Sequence, residues 1–119
     1  MFGSNKYRSK RVKHLGYSFA SQFECAVFNF LLLREKAQEI RDIQCQDHVY
    51  LTKAKICYIP DFKFLDLKSG EFVWAEAKGF ETDPWKIKKK LWQYYGPGKL
   101  EIYKGSAKSF KLYETVIPE

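Results

Sequence analysis

Two neighbouring stretches of the chain constrain its fold most, because each alternates in a way that suits a β-strand. Residues 56–66 and 71–78 are predicted strands, and the segment 67–70 between them ends in a Ser-Gly pair typical of a turn. Pro60 cannot donate a hydrogen bond to a neighbouring strand, so it favours a sheet edge or a bulge beside Asp61. A sheet that contains this strand pair is therefore the centre of the predicted fold.

Successive side chains of a strand point to opposite faces, which sorts the residues of this pair. In the first strand, one face holds Tyr58, Phe62 and Phe64, and the other holds Ile59, Asp61 and Lys63. In the second strand, one face holds Phe72, Trp74, Glu76 and Lys78, and the other holds Val73, Ala75 and Ala77. Glu76 and Lys78 are thus predicted to project together, and the small side chains opposite them leave room for a helix.

The other periodic segments predict one α/β domain, since 119 residues suffice to bury a single core. Helices are predicted from Gln22 to Glu39 and from Asp83 to the Gly-Pro-Gly sequence at 96–98. Further strands are predicted at 43–51 and 99–103, with another left open at 110–116 and a small hairpin formed by 10–12 and 17–19. The expected architecture is a mixed β-sheet flanked by helices.

The first predicted helix carries an acidic residue, Glu24, beside its apolar stripe. That stripe consists of Phe23, Ala26, Val27, Phe30, Leu31 and Ala37, and the second helix has a stripe of Ile87, Leu91 and Tyr94. Ser21 and Glu24 match a Ser-x-x-Glu capping box, which is one explanation for the glutamate. At about 100° per residue Glu24 also falls at the margin of the stripe, where its carboxylate can lean toward a sheet. The residues alone leave both explanations open.

Pro60-Asp61, followed by Glu76-Ala77-Lys78, is a combination suited to phosphodiester hydrolysis. Carboxylates bind a hard divalent cation through oxygen. Such a cation activates water and screens the charge that builds on a phosphate, and a lysine supplies a fixed positive charge beside it. So short a pattern recurs by chance in charged proteins, so its weight depends on the elements around it.

The charge balance favours an anionic partner, and nucleic acid is the leading candidate. The formal net charge is +7, and the pI is near 9.3. Two basic segments are candidate DNA contacts, comprising Lys6, Arg8, Lys10, Arg11 and Lys13 near the N-terminus and Lys86, Lys88, Lys89 and Lys90 on the second helix. A solvated arm and ordinary helix solubility are the simpler explanations. Phosphate binding is favoured for the second helix because no acidic residue balances its lysines, and for the N-terminal run a solvated arm and phosphate contact both stay open.

Several protein classes fit the sequence poorly. The longest apolar run, Phe28–Leu33, is far too short to span a bilayer, and no apolar signal region follows Met1. Cys25, Cys45 and Cys57 are odd in number and form no Cys-x-x-Cys pair, which argues against zinc and against a disulfide framework. A reducing cytoplasm is therefore the expected location.

The order helix, three strands, helix, strand resembles the restriction-endonuclease-like αβββαβ core of the PD-(D/E)XK nuclease superfamily. The chain is most similar to small phage-encoded proteins and to the phage endonuclease I type of junction-resolving enzyme, and the resemblance covers about residues 15–103. The shared features are Ser-x-x-Glu at Ser21 to Glu24, Gln46 in the first strand, Asp61-Phe62, Glu-x-Lys-Gly at Glu76 to Gly79, and a lysine-rich helix.

The resemblance implies magnesium-dependent cleavage of DNA, with Mn²⁺ as a substitute, by a domain of residues 15–119 behind a basic arm of residues 1–14. Branched DNA such as the four-way (Holliday) junction is the implied substrate, and the host cytoplasm is the implied location if the protein is phage-encoded. The implied site residues are Asp61, Glu76 and Glu24 as metal ligands, Lys78 at the phosphate or the attacking water, and Gln46 behind the ligands.

The chain also departs from this pattern. Endonuclease I enzymes exchange elements between subunits and use a longer N-terminal region, so a homodimer and junction specificity both stay open here. A DNA-binding module that keeps the nuclease fold without turnover is the alternative function, and the basic residues would serve it equally. Such a module has no need, however, for three acids and a lysine in these positions.

Overall fold

The computed structural model describes residues 11–119 and contains two helices and nine strands in that range. The elements in chain order are β1 (Val12–His14), β2 (Tyr17–Phe19), α1 (Gln22–Lys36), β3 (Ile40–Cys45), β4 (Val49–Tyr50), β5 (Cys57–Tyr58), β6 (Phe62–Asp66), β7 (Phe72–Ala77), α2 (Asp83–Tyr95), β8 (Lys99–Ser106) and β9 (Ser109–Val116).

The central sheet has five strands in the order β3-β6-β7-β8-β9. Only β7 and β8 pair in parallel, because α2 forms the crossover between them. The other neighbours are antiparallel, and β1–β2 and β4–β5 form separate small hairpins. The predicted mixed α/β fold and its element order are confirmed, and β9 adds the strand that was left open.

One helix covers each face of this sheet. On the α1 face the buried side chains include Phe19, Val27, Phe28, Leu31, Phe62, Phe64, Val73 and Ala75. On the α2 face they include Tyr58, Trp74, Trp85, Trp92, Leu100 and Ile102. The faces predicted for β7 are confirmed, since Val73 and Ala75 pack beneath α1 and Trp74 packs beneath α2. Neither helix has the length and apolar character needed to cross a bilayer.

Two strand predictions are wrong in their limits. In place of the single strand predicted at 43–51 there are two strands, β4 and β3, and β3 starts earlier, at Ile40. Gln46, with a φ of 60°, lies between them. The strand predicted at 56–66 is interrupted at 59–61, around Pro60. Because the interruption breaks the period of two, Tyr58 lies on the α2 face while Phe62 lies on the α1 face.

The predicted helix faces also need correction. Helix α1 ends at Lys36, since Gln38 adopts a left-handed φ of 62°. Its buried stripe is rotated to Glu24, Cys25, Val27, Phe28 and Leu31, whereas Phe30 and Ala37 are exposed. Glu24 is consequently in the middle of the buried stripe and not at its margin.

Helix α2 buries its tryptophans, and the predicted stripe of Ile87, Leu91 and Tyr94 is wrong for two of its three members. Ile87 and Tyr94 are exposed, and Leu91 is half-buried. Trp85 and Trp92 are two turns apart and face the sheet, where their rings pack against that of Tyr58 at centroid distances of 5.4 and 5.7 Å. The aromatic cluster outweighs the aliphatic periodicity because each indole buries more apolar area.

Candidate active site

Three carboxylates from separate parts of the chain are buried next to one another at the end of the sheet. Glu24 comes from the first turn of α1, Asp61 precedes β6, and Glu76 is near the end of β7. Their exposed fractions are only 6%, 9% and 6%. The structure thus brings together the three acids predicted as metal ligands, with Lys78 beside them.

The pairing of β6 with β7 sets Asp61 against Glu76. The two strands are antiparallel and Phe62 pairs with Ala75. Asp61, which precedes Phe62, therefore lies opposite Glu76, which follows Ala75. The Asp61 amide donates to Glu76 Oε1 at 3.2 Å, and the Ala77 amide donates to Asp61 Oδ2 at 2.9 Å. Each carboxylate is therefore held by backbone of the opposite strand.

Glu24 joins the other two acids and caps its helix at the same time. The Glu24 amide donates to Ser21 Oγ at 3.1 Å, which is one half of the predicted capping box, whereas Glu24 Oε2 accepts from the amide of Ala20, one residue before the cap, at 3.2 Å. Its charge and a hydrogen bond between the two carboxyl groups also help to raise the pKa of Asp61. Glu24 thus lies at the capped start of α1 and beside Asp61, and its role as a metal ligand stays a prediction.

Lys78 follows β7 and extends along the same surface as Glu76. Its amide donates to the carbonyl of Tyr103 at 2.9 Å, which fixes the backbone against β8. Its Nζ lies 3.5 Å from Glu76 Oε2 and 4.5 Å from the centre of the Trp85 ring. An ammonium held by a carboxylate and an indole face is positioned before any ligand binds.

The site is electrostatically unbalanced in favour of negative charge. Burial, followed by the charges of Glu76 and Glu24, raises the pKa of Asp61 well above its usual range. Burial also raises the pKa of Glu76, although Lys78 and the hydroxyl of Tyr58 oppose that shift. Among residues 11–119, Lys78 is the single cationic group within 4 Å of these carboxylates. Three acids against one lysine leave a deficit of positive charge in a buried place.

This donor set fits a hard divalent cation. The oxygens Asp61 Oδ1 and Glu76 Oε2 accept no backbone hydrogen bond from the described residues, so they are available to a metal. In the described part of the chain, no three His, Cys, Asp or Glu side chains already stand in ligand geometry around one point. Burial and the two nearby acids raise the pKa of Cys45 to about 11, so its thiol adds no charge.

Gln46 is the one predicted site residue whose side chain does not reach the acids. The side chain is exposed and makes no hydrogen bond to a carboxylate within residues 11–119. Only its amide contacts the site, donating to the carbonyl of Asp61 at 3.1 Å. Its role behind the ligands stays a prediction without a supporting contact.

The predicted DNA-binding residues near the N-terminus differ in their setting. Lys6, Arg8 and Lys10 lie outside the described residues. Lys13 is exposed on β1, and Arg11 donates hydrogen bonds to the side chain and the carbonyl of Ser18. Because β1 pairs with β2, residues 12–14 of the predicted arm belong to a folded hairpin.

The four lysines of α2 are not equivalent. Lys86 and Lys90 are exposed, and Lys88 lines a cleft of about 370 Å³ together with Glu76 and Lys78. Lys89 instead forms ion pairs with Glu114 at 2.5 Å and with Glu81 at 4.0 Å. The expectation that no acid balances this run is wrong for Lys89, because β9 and the loop before α2 bring two acids beneath the helix.

Sequence reasoning missed Tyr58 as a member of the site. Its hydroxyl donates to Glu76 Oε1 at 2.8 Å, and burial together with the charge of Glu76 raises its pKa far enough to keep the proton in place. The interruption at Pro60 turns Tyr58 toward Glu76, and regular alternation would have placed it on the other face. The available signal in the sequence was a tyrosine two residues before Pro60.

Removing the Tyr58 hydroxyl should weaken metal binding. In Tyr58→Phe, Glu76 keeps only the Asp61 amide as a donor to Oε1, so its orientation is less fixed. We expect the Mg²⁺ concentration that gives half of the rise in melting temperature to increase about tenfold, since partners that orient metal ligands typically contribute 10–100-fold in affinity. Tyr103→Phe is the matched control because that buried hydroxyl donates to Glu101, outside the site. Equal Mg²⁺ responses in the two variants would contradict the assignment.

Comparison with known proteins identifies the family without supplying a function. A family model described as "Protein of unknown function (DUF1064)" matches residues 4–114. No curated protein and no solved structure matches the chain. The match spans the hairpin, both helices and nearly all of the sheet, including all four residues of the acidic site. The chain therefore belongs to the DUF1064 family.

Proposed function

We propose that this protein is a magnesium-dependent endodeoxyribonuclease that hydrolyses phosphodiester bonds. The observation that carries the proposal is the meeting of Glu24, Asp61 and Glu76 in a buried cluster with Lys78 at its rim. Three buried acids with too little positive charge destabilise the fold unless a cation binds there. A protein that only bound DNA would gain nothing from that arrangement.

Each residue has a role that its position allows. Asp61, Glu76 and Glu24 would hold the divalent ion, which supplies an activated water and charge screening at the phosphate; Mn²⁺ offers the same octahedral oxygen chemistry as Mg²⁺. Lys78 presents its ammonium at the cleft, where it either orients the attacking water or stabilises charge on the phosphoryl oxygens. Tyr58 keeps the Glu76 carboxylate in one orientation. Water oxygen forms the new bond to phosphorus, the bond to the leaving oxygen breaks, and that oxygen takes up a proton.

The DNA would approach over the cleft that Lys78 and Lys88 share. Lys86 and Lys90 extend positive charge along the exposed side of α2, and Lys13 adds charge on the hairpin. Phosphate contacts of this kind bind without regard to sequence and weaken as salt increases. Among DNA structures, we propose branched DNA as the substrate. A homodimer is the assembly that incision of both strands at a junction would need.

Cleavage of defined substrates tests the function directly. Wild-type protein and Asp61→Asn should be incubated with a four-way junction, a duplex and a single strand of shared sequence, in Mg²⁺, in Mn²⁺ and in EDTA. We expect wild type to cut in either metal and to be inactive in EDTA, and Asp61→Asn to be inactive throughout. Cutting of the junction alone would support the resolving function, and indifferent nicking would support a general endonuclease.

The non-catalytic DNA-binding module remains the second candidate. The observation in its favour is that the three acids of the described structure are not yet arranged around one point. It predicts salt-sensitive DNA binding with no cleavage in either metal, and an affinity that is unchanged in Lys78→Ala.

A further inference from the structure

The apolar side chain of Phe80 is exposed to solvent, close in sequence to the candidate active site. With 79% of its surface exposed, it is the most exposed large hydrophobic residue among residues 11–119. It comes two residues after Lys78, in the loop that joins β7 to α2. Isolated exposed apolar residues are common, but few are placed next to a cluster of buried acids.

The loop that carries Phe80 is fastened on both sides. Before it, the Lys78 amide donates to the carbonyl of Tyr103. After it, the Glu81 carboxylate accepts a hydrogen bond from Lys104 and lies 4.0 Å from Lys89, and Thr82 caps α2 by accepting from the Trp85 amide at 3.3 Å. The exposure of Phe80 is thus set by an anchored backbone.

The same segment contributes residues to two clefts. Ala77 and Gly79 line a cleft of about 580 Å³ that also includes the start of α1 and the β8–β9 turn. Lys78 and Thr82 line the cleft of about 370 Å³ that contains Glu76. Phe80 comes between these residues in the chain, two residues after the lysine assigned to the phosphate.

We propose that Phe80 stacks on an unpaired base of the DNA whose phosphate occupies the Lys78 cleft, an inference that rests on the proposed nuclease function. An aromatic ring offers every base a face to stack on, whatever the sequence. In an intact duplex those faces are covered by neighbouring base pairs, so the contact is made only where a strand is single, flapped or branched.

The surroundings of Phe80 favour a base over a protein partner. Its neighbours in the chain are Gly79, Glu81 and Thr82, so no apolar patch continues along the loop. Glu81, the acid next to Phe80 in the chain, is neutralised by Lys104 and Lys89, which reduces its repulsion of a nucleic-acid strand. An exposed aromatic ring two residues from a lysine that faces a cleft combines the two features of single-strand binding surfaces, a stacking face and a positive charge.

Binding measured without cleavage tests the inference. Fluorescence anisotropy in EDTA should compare a labelled single strand with a blunt hairpin duplex, using wild type, Phe80→Ala and Phe80→Trp. We expect Phe80→Ala to lose roughly 5- to 150-fold in affinity for the single strand, the loss of one base–aromatic stack, with the duplex affinity changed less than about twofold. Phe80→Trp should retain wild-type affinity. Leu67→Ala is the control, an exposed apolar residue at the opposite end of β7 that should change neither affinity.

The outcomes separate this inference from the nuclease proposal. An unchanged single-strand affinity in Phe80→Ala, or an equal loss for both substrates, would overturn base stacking even if the protein cleaves DNA in Mg²⁺. A selective loss in a protein that never cleaves would support base stacking and overturn the nuclease. Concentration-dependent self-association that disappears in Phe80→Ala would show that a second copy covers this ring, and would also overturn the inference.

Discussion

In the absence of metal, the Asp61→Asn protein is expected to melt at a higher temperature than wild type. Two like charges about 4 Å apart repel by roughly 4 kcal/mol at an effective dielectric of 20, and Asp61 has two acidic neighbours. The amide oxygen of asparagine can still accept from the Ala77 amide, so the fold keeps that hydrogen bond. Because protonation already relieves part of the repulsion, we expect a gain of about 2 kcal/mol, or roughly 5–10 °C in Tm.

Magnesium should reverse this order of stability. An ion that binds only the folded protein stabilises it by about 2.7 kcal/mol at a concentration 100 times its Kd, and Asp61→Asn removes one of its ligands. Thermal melts in EDTA and across a Mg²⁺ titration measure both effects. Asp66→Asn, at the far end of the strand that follows Asp61, is the matched control, since hydrogen bonds from Ser69 lower the pKa of Asp66. A lower Tm for Asp61→Asn in EDTA would show that the buried acids do not repel as described.

The pH dependence of the metal-free protein follows from the same raised pKa values. The unfolded chain releases the protons of Asp61 and Glu76 near pH 4, whereas the folded chain keeps them to higher pH. Folding therefore takes up protons above pH 4, and the stability contributed by these two groups falls as pH rises through their folded pKa values. We expect the Tm of wild type in EDTA to be higher at pH 5.5 than at pH 8, with a smaller difference in Asp61→Asn.

The core of the candidate site was predictable because it depends on short-range rules. Glu76 and Lys78 share a face through the period of two, and a tight turn places Asp61 against Glu76 by setting the register of β6 and β7. The helix period alone placed Glu24 only at the margin of the apolar stripe, and its assignment to the site came from the family resemblance. Local rules therefore account for the Glu76 and Lys78 pair, whereas the grouping of three acids from separate elements was an expectation of the resemblance.

The parts that sequence reasoning missed depend on tertiary packing. Tyr58 reaches Glu76 because the strand is interrupted around Pro60. The rings of Trp85 and Trp92 on α2 pack against Tyr58 and keep it on that face of the sheet. Lys89 was predicted to contact DNA, but it pairs with Glu114 of β9, which is distant in sequence, and with Glu81 of the loop before α2. Long-range neighbours of this kind leave no periodic signal in a single sequence.

Replacing Lys78 by alanine is expected to abolish most of the cleavage while leaving metal binding intact. A preorganised charge at the reacting phosphate typically contributes 10²–10³-fold in rate, so we expect a loss of that size in single-turnover cleavage at saturating Mg²⁺. The Mg²⁺-dependent rise in Tm should persist or increase, because Lys78→Ala leaves the three acids with no cation within 4 Å among residues 11–119. This pattern separates a group that acts on the phosphate from one that only balances charge.

Lys63 provides the matched control for this experiment. Its side chain is 21% exposed against 22% for Lys78, it lies over the Phe72 and Trp74 rings, and it pairs with Asp47 at 3.9 Å. Lys63→Ala removes the same charge from a similar aromatic setting and should cleave within about threefold of wild type. If both variants lose activity equally, the loss reflects general electrostatics or the fold. If Lys78→Ala cleaves as fast as wild type, the lysine of the Glu-x-Lys pair is not at the scissile phosphate, and the acids alone would have to account for any hydrolysis.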